Sequence, residues 1–157
     1  MEINTKAPVI VSQEITVHSS PEQVWKILTD IKSWNTWFRY IQKPQLEKKK
    51  QPLAEGSLFR WQLRSLALTS TITGFFPPHR LSWRSKGSGT RSVTVWSLQA
   101  VESGTLVRCE QSIEGLMVLL FKAQTLTAMQ DVTDRWLFSL KETLNPLKRP
   151  VTAITKT

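Results

Sequence analysis

The sequence of 157 residues contains little cysteine and little histidine. Its one cysteine, Cys109, cannot form a disulfide bond within the chain, and we expect a cytoplasmic protein. The two histidines, His18 and His79, lie far apart and do not have a metal-ligand spacing with the cysteine. The glycine-rich motifs of nucleotide-binding proteins and the nucleophile elbow of serine hydrolases are also missing. These absences predict a protein that uses neither a metal ion nor a cofactor.

Long apolar runs are missing as well. The longest, Leu116–Phe121, has six residues, whereas a membrane-spanning helix needs about 20. The N-terminal segment has no apolar stretch of the kind found in secretory signals, and we expect no such signal. The Leu116–Phe121 run has three interpretations: the buried first turn of a core helix, a gate at a cavity mouth, or a loop that dips into a membrane.

Acidic residues are few. Twelve Asp and Glu stand against 21 Lys and Arg, which gives a formal net charge of +9. A basic balance of this kind can serve solubility alone, or it can attract an anionic membrane, nucleic acid or an acidic partner.

The length and the 40% hydrophobic content are typical of one folded domain. We expect this domain to span residues 1–146. Residues 147–157, which begin after Pro146 and contain Pro150 between short polar stretches, are expected to form a flexible tail.

Hydrophobic periodicity divides the chain into three zones. Val9–Val17 alternates like a strand, the capping box Ser20–Gln23 opens a short helix, and a second short helix is predicted over Ile31–Phe38. Residues 56–115 follow a period of two with turn signals between the runs, which predicts an antiparallel meander. From Val118 to Leu144, apolar residues recur every three or four positions, which predicts one long amphipathic helix. This order predicts an α+β fold in which a curved antiparallel sheet wraps around the long C-terminal helix.

The same alternation assigns side chains to the two faces of the sheet. Three tryptophans on the inward face, Trp61, Trp83 and Trp96, suit either a packed core or the wall of a cavity. The outward face is expected to be basic, with Arg60, Arg64, Arg84 and Arg108.

Several segments, spread over residues 9–145, resemble one known family in their order and spacing. They are Val17–Trp25, Asp30–Trp37, Glu55–Trp61, Gly104–Val107, Glu114–Gly115, Trp136–Leu137 and Leu140–Lys141. The sequence resembles the SRPBCC superfamily, also called START-like or helix-grip, and within it the polyketide cyclase/dehydrase and lipid-transport group.

The resemblance implies a deep, mostly apolar cavity between the sheet and the long helix. Members carry lipids, polyketides and similar molecules there, and some catalyse cyclisation or hydration. Related members often have a histidine near Trp96, where this sequence has Thr94, and an acid–base candidate is thereby lost. Register and resemblance together predict these ligand-binding residues: Phe59, Trp61, Leu63, Ser70, Ile72, Trp83, Thr94, Trp96, Cys109, Gln111, Glu114, Leu119, Ala123 and Leu126.

The polar members of this set have structural explanations too. Ser70, Thr94 and Gln111 can hydrogen-bond to one another or orient a ligand. Glu114, at the junction of the last strand and the long helix, could reach the cavity entrance as a ligand contact or an acid–base group. A buried Cys109 usually behaves as a small hydrophobic side chain.

Three functions remain open from the sequence. The first is binding or transport of a small hydrophobic ligand between sheet and helix. The second is a cyclase- or dehydratase-type enzyme that uses Glu114 or hydroxyl groups in the same cavity. The third is an interaction module whose basic outer face makes weak contact with an anionic membrane or nucleic acid.

Overall fold

The computed structural model describes residues 1–146 and shows a seven-stranded antiparallel sheet with a long C-terminal helix. The strands are β1 (Val9–Val17), β2 (Ile41–Leu46), β3 (Leu58–Leu63), β4 (Leu66–Phe76), β5 (Arg80–Gly87), β6 (Thr90–Val101) and β7 (Gly104–Glu114). The helices are α1 (Pro21–Thr29), α2 (Trp34–Trp37), α3 (Leu116–Leu120) and α4 (Lys122–Leu144), with a 3-10 turn at Ile31–Ser33. The strand order is β1-β7-β6-β5-β4-β3-β2. The predicted α+β helix-grip architecture is confirmed. The predicted tail, 147–157, lies outside the described residues.

The capping box at the start of α1 is present. Ser20 Oγ accepts a hydrogen bond from the backbone N–H of Gln23 at 3.3 Å, and Gln23 Oε1 accepts one from the N–H of Ser20 at 3.0 Å. These two bonds satisfy backbone donors that the helix itself leaves unpaired. Val24 and Leu28 then bury the inner side of the helix.

The predicted alternation is confirmed in β3. Phe59, Trp61 and Leu63 are buried, whereas the intervening Arg60 is exposed. Because side chains of a strand alternate between faces, this register places the aromatic rings of β3 toward the helices.

Strand β2 is the edge strand that periodicity does not reveal. Pro44 lies within it, Lys43 has a φ of 48°, and the pairing with β3 shifts register between Gln42 and Gln45. Proline and a bulge are tolerated at a sheet edge, but they interrupt the alternation by which a strand is recognised in sequence.

An aromatic cluster fills the space between α4, α2 and the middle of the sheet. Trp136 of α4 lies at its centre and contacts five other rings at centroid distances from 5.2 to 6.1 Å. The members of the aromatic cluster are Trp34, Phe38, Phe59, Trp61, Trp83, Trp96 and Trp136.

The long helix starts later than predicted. Phe121 has φ −121° and ψ 43°, and this conformation separates α3 from α4. The buried side chains of α4 lie between its middle and its C-terminal end and are Val132, Thr133, Trp136, Leu137 and Leu140. None of the helices in the described part of the chain is both long and apolar enough to cross a membrane.

Candidate ligand cavity

A cavity of about 220 Å³ lies between the sheet, α3 and the N-terminal half of α4. Its walls are mostly apolar, with a few hydroxyl groups and one carboxamide. The lining residues are Trp61, Leu63, Leu66, Leu68, Ser85, Thr90, Ser92, Thr94, Gln111, Ile113, Met117, Val118, Phe121, Thr125 and Met129. None of these side chains is charged at neutral pH.

The cavity exists because the two halves of α4 meet different surroundings. Trp136 and its neighbours bury the C-terminal half against the aromatic cluster. At the other half, Thr125 and Met129 are only half-buried, and Trp61 is the one aromatic side chain of the sheet among the described residues that line the cavity. Trp61 therefore belongs both to the aromatic cluster and to the cavity.

Polar groups of the cavity are held in a defined arrangement. Thr94 of β6 pairs with Gln111 of β7 across the strands, and both side chains are buried. Gln111 Nε2 donates to Thr133 Oγ1 at 2.8 Å, and Thr133 Oγ1 in turn donates to the Met129 carbonyl at 2.7 Å. The carboxamide is thus fixed in orientation, and its oxygen is an acceptor suited to a polar group on a ligand.

A second polar set supports the tryptophan in the wall. Trp61 Nε1 donates to Ser70 Oγ at 2.9 Å, and Ser70 Oγ lies 2.6 Å from Ser85 Oγ. Because a buried N–H needs an acceptor, this pair of hydroxyl groups fixes the indole ring in place. Ser85 lines the cavity, and Ser70 lies behind it.

Four of the residues predicted to bind ligand line this cavity: Trp61, Leu63, Thr94 and Gln111. Six others point inward but pack behind it, in the core: Phe59, Ser70, Ile72, Trp83, Trp96 and Cys109. This corrects the expectation that the three tryptophans Trp61, Trp83 and Trp96 form one wall. Trp83 and Trp96 are completely buried, and Trp136 contacts both rings.

The prediction for the helical side also needs correction. Leu119 and Ala123 are exposed, and Leu126 is half-buried beside the cavity without lining it. The break at Phe121 shifts the register, so Val118, Phe121, Thr125 and Met129 line the cavity instead. In one uninterrupted helix, the apolar face defined by the C-terminal residues of α4 would include Ala123 and Leu119. The break turns both residues away from the cavity.

Some lining residues could have been predicted from the alternation of side chains along a strand alone. Leu68, Ser85 and Ile113 each lie two positions from a predicted inward residue on the same strand. Side chains two positions apart share a face of the sheet. Ser92 and Thr90 lie two and four positions before Thr94 on β6, so the same rule assigns both to the inward face.

Glu114 does not point into the cavity. Its carboxylate pairs with Arg91 Nε at 3.2 Å and accepts a hydrogen bond from Asn4 Nδ2 at 3.0 Å. Since Gln111 and Ile113 face inward, alternation turns Glu114 to the outer side of the sheet. The expectation that this carboxylate could reach the cavity entrance is therefore corrected.

The basic outer face is smaller than the alternation predicts. Arg108 donates to Glu14 at 2.8 and 2.9 Å, and this contact raises the pKa of the Arg108 guanidinium. Arg64, with a φ of 55°, turns toward the helical side, pairs with Asp131 of α4 at 3.1 Å and lies over Tyr40. The assignment of Arg64 to the outward face was thus wrong, because its backbone leaves the regular strand conformation.

Cys109 is completely buried, and burial raises the pKa of its thiol well above the usual range. A protonated thiol is a poor nucleophile. In residues 1–146, no group of three or more His, Cys, Asp and Glu side chains lies close enough together to hold a metal ion.

We predict that native Cys109 resists alkylation by a maleimide at mildly alkaline pH and reacts rapidly once the chain is unfolded in urea. The unfolded thiol loses its proton above about pH 8.5, whereas the folded thiol keeps it. The stability due to this group is therefore complete below that pH and is lost as the pH rises. Labelling followed by mass spectrometry checks the first outcome, with Cys109→Ala as the unlabelled control. Rapid labelling of the native chain would contradict the buried position.

The family model described as polyketide cyclase / dehydrase and lipid transport matches residues 8–145 of this sequence. The chain belongs to this family. The match extends from the start of β1 to the end of α4 and so covers all seven strands, the four helices and the cavity. No curated protein matches the sequence.

Several solved structures share the fold of this chain. The protein jhp0584 from Helicobacter pylori has a TM-score of 0.80 at 15% identity, covering 89% of this chain and 90% of its own. CalU16 from Micromonospora echinospora has a TM-score of 0.62 at 22% identity, covering 90% and 76%. DynU16, described as a protein in the dynemicin biosynthetic locus, has a TM-score of 0.62 at 19% identity, covering 86% of this chain and 48% of its own.

Proposed function

We propose that this protein is a cytoplasmic binding or transport protein for a small hydrophobic molecule, held in the cavity beside Trp61 within a single domain of residues 1–146. The observation that carries the proposal is a cavity, open on one side, with mostly apolar walls and a fixed carboxamide, Gln111, in a chain of the polyketide cyclase/dehydrase and lipid transport family. Burial of apolar ligand surface would supply the affinity, at roughly 25 cal/mol per Å².

The volume of the cavity limits the ligand. Ligand pockets commonly measure about 300–1,000 Å³. At about 220 Å³, this cavity suits a compact molecule, of the size of one or two fused rings, rather than a long-chain lipid. A wider groove of about 420 Å³ lies beside Phe138, but its walls include the charged residues Arg135 and Glu142. We therefore place the ligand in the smaller, apolar cavity.

Cyclase-type catalysis in the same cavity is the second candidate, favoured by the family and by the biosynthetic locus named for DynU16. General acid–base catalysis needs a group that exchanges protons near neutral pH. The cavity lining within the described residues offers hydroxyl groups and the Gln111 carboxamide, but no carboxylate and no imidazole. The lining therefore favours a binding function over acid–base catalysis. Catalysis here would have to work by orienting a substrate that is already reactive.

Native mass spectrometry of the gently purified protein tests the proposal, because a bound molecule should add a discrete mass that unfolding releases. Naphthalene and naphthol serve as probes. A ligand present at 100 times its dissociation constant should stabilise the fold by about 2.7 kcal/mol, visible as a higher melting temperature. Binding of neither probe, together with no co-purified molecule, would overturn the proposal.

The carboxamide gives a sharper test of orientation. We expect Gln111→Leu to bind naphthalene as the wild type does and to bind naphthol about tenfold more weakly, since one hydrogen bond contributes about 1 kcal/mol or somewhat more. Isothermal titration calorimetry measures both affinities. Gln99→Leu on the exposed part of β6 is the control and should leave both unchanged. Equal weakening toward both probes in Gln111→Leu would show that the residue only supports the fold.

A further inference from the structure

The short helix α3 and the following Phe121 present five large apolar side chains to solvent within six consecutive residues. Leu116, Met117, Leu119, Leu120 and Phe121 are between 48% and 71% exposed. We call these five residues the α3 patch. The other exposed large apolar side chains among residues 1–146 are separated from one another in the sequence and are Met1, Ile10, Leu58, Phe76, Val101 and Phe138. Soluble proteins rarely leave a contiguous apolar patch uncovered without a binding function for it.

The fold holds this patch outward. Val118, the one buried side chain of α3, packs with Val9, Val11 and Ile113. Gly115, with a φ of 145°, lets the chain approach the β5–β6 hairpin so closely that a Cβ there would collide with the carbonyl oxygen of Gly89. The helix is thus fixed by one side chain and by the hairpin, and its other side chains cannot all turn inward.

The α3 patch is continuous with the cavity. Met117 and Phe121 are about half-exposed and also line the cavity, so they form part of its rim. A surface that covered the patch would therefore lie directly against the cavity entrance.

The charges around the patch favour an anionic occupant. Lys122 follows the patch directly and is exposed, and the whole chain carries 21 Lys and Arg against 12 Asp and Glu. The nearby carboxylate of Glu114 is already paired with Arg91. A bilayer with anionic headgroups attracts a basic protein surface, while its hydrocarbon interior takes up exposed apolar side chains. Two copies that met through α3 would instead bring their Lys122 side chains, and two chains of net charge +9, toward one another.

We propose that α3 is a membrane-docking element, which inserts the α3 patch into the surface of an anionic bilayer and places the cavity entrance at that surface. Docking requires no occupant in the cavity, so the proposal goes beyond ligand binding and can fail independently of it.

Vesicle co-sedimentation of the full chain, with no ligand added, tests the docking. The vesicles contain phosphatidylcholine alone, or phosphatidylcholine with phosphatidylserine as about one third of the lipid. We expect preferential binding to the anionic vesicles, and a loss of about tenfold or more in affinity for the double variant Leu116→Ser and Leu120→Ser, because two apolar side chains no longer leave water. Neither residue lines the cavity. The matched control is Phe76→Ser and Phe138→Ser, which removes two exposed rings elsewhere and should bind as the wild type does.

Three results would overturn the docking proposal. One is an affinity of the Leu116→Ser and Leu120→Ser variant for anionic vesicles equal to that of the wild type. The basic surface alone would then explain the binding. Another is an equal loss in the control variant. The third is a wild-type protein that is dimeric by light scattering, together with a Leu116→Ser and Leu120→Ser variant that is monomeric. Melting temperatures verify that both variants fold, and naphthol titration in solution shows whether the cavity still binds when docking fails.

Discussion

Replacement of Trp136 with alanine is expected to lower the free energy of unfolding by about 3–5 kcal/mol. The indole lies at the centre of the aromatic cluster, stacks on Phe38 at 5.4 Å with planes 8° apart, and meets Trp96 edge to face at 5.2 Å. Alanine would leave a void bordered by the sheet and by α2. Rigid rings from several elements cannot all move to fill such a space, so most of the lost contact energy would not be recovered.

Urea unfolding followed by circular dichroism measures this loss, and the midpoint should shift without a large change in slope. Phe138→Ala is the control on the same helix, since its ring is exposed and its removal should change stability by about 0.5 kcal/mol or less. Equal destabilisation by both substitutions would mean that the aromatic cluster is not the main support of α4.

Thr94→Phe is expected to abolish probe binding, with a loss of about 100-fold or more in affinity. Thr94 lies in the sheet wall of the cavity beside its cross-strand neighbour Gln111, and a phenyl ring there would occupy a large part of the 220 Å³ that the cavity offers. The added ring would enter existing space, so the melting temperature should change far less than the affinity. Naphthalene titration calorimetry and thermal unfolding give the two quantities.

Thr94→Val is the matched control for this variant, because it removes the hydroxyl group and leaves the side-chain volume almost unchanged. It should bind naphthalene as the wild type does. Undiminished naphthalene binding by Thr94→Phe would place the probe outside this cavity, and the groove beside Phe138 would be the next site to examine. A large fall in melting temperature would show instead that Thr94 is tightly packed.

Docking and cavity binding would act together if both proposals hold. A hydrophobic molecule is scarce in water and concentrated in a bilayer, so an entrance rimmed by Met117 and Phe121 would meet it at the membrane surface. The combination predicts that ligand transfer from vesicles is slower in the Leu116→Ser and Leu120→Ser variant, although its affinity for the same ligand in solution is unchanged.

Local patterns in the sequence determined much of the fold. The period of two assigned Phe59, Trp61 and Leu63 to the inward face, and Ser20 with Gln23 marked the start of α1. These features follow from the geometry of a strand and of a helix end, which involve only neighbouring residues. Strand β2 was missed for the same reason, because Pro44 and the bulge beside it disturb that local pattern.

Tertiary structure alone decided which inward residues border a cavity. Trp61 and Trp96 both lie on the inward face of the sheet and have the same chemistry, yet one lines the cavity and the other is enclosed in the core. Alternation determines the face on which a side chain lies. The distance between that face and α4 depends instead on the tertiary packing around Trp136. The exposure of α3 was likewise undecided, since an apolar run is compatible with burial or with a docking surface. The break at Phe121 and the close contact of Gly115 with the hairpin turn that run outward, and the second depends on Gly89, a residue distant in sequence.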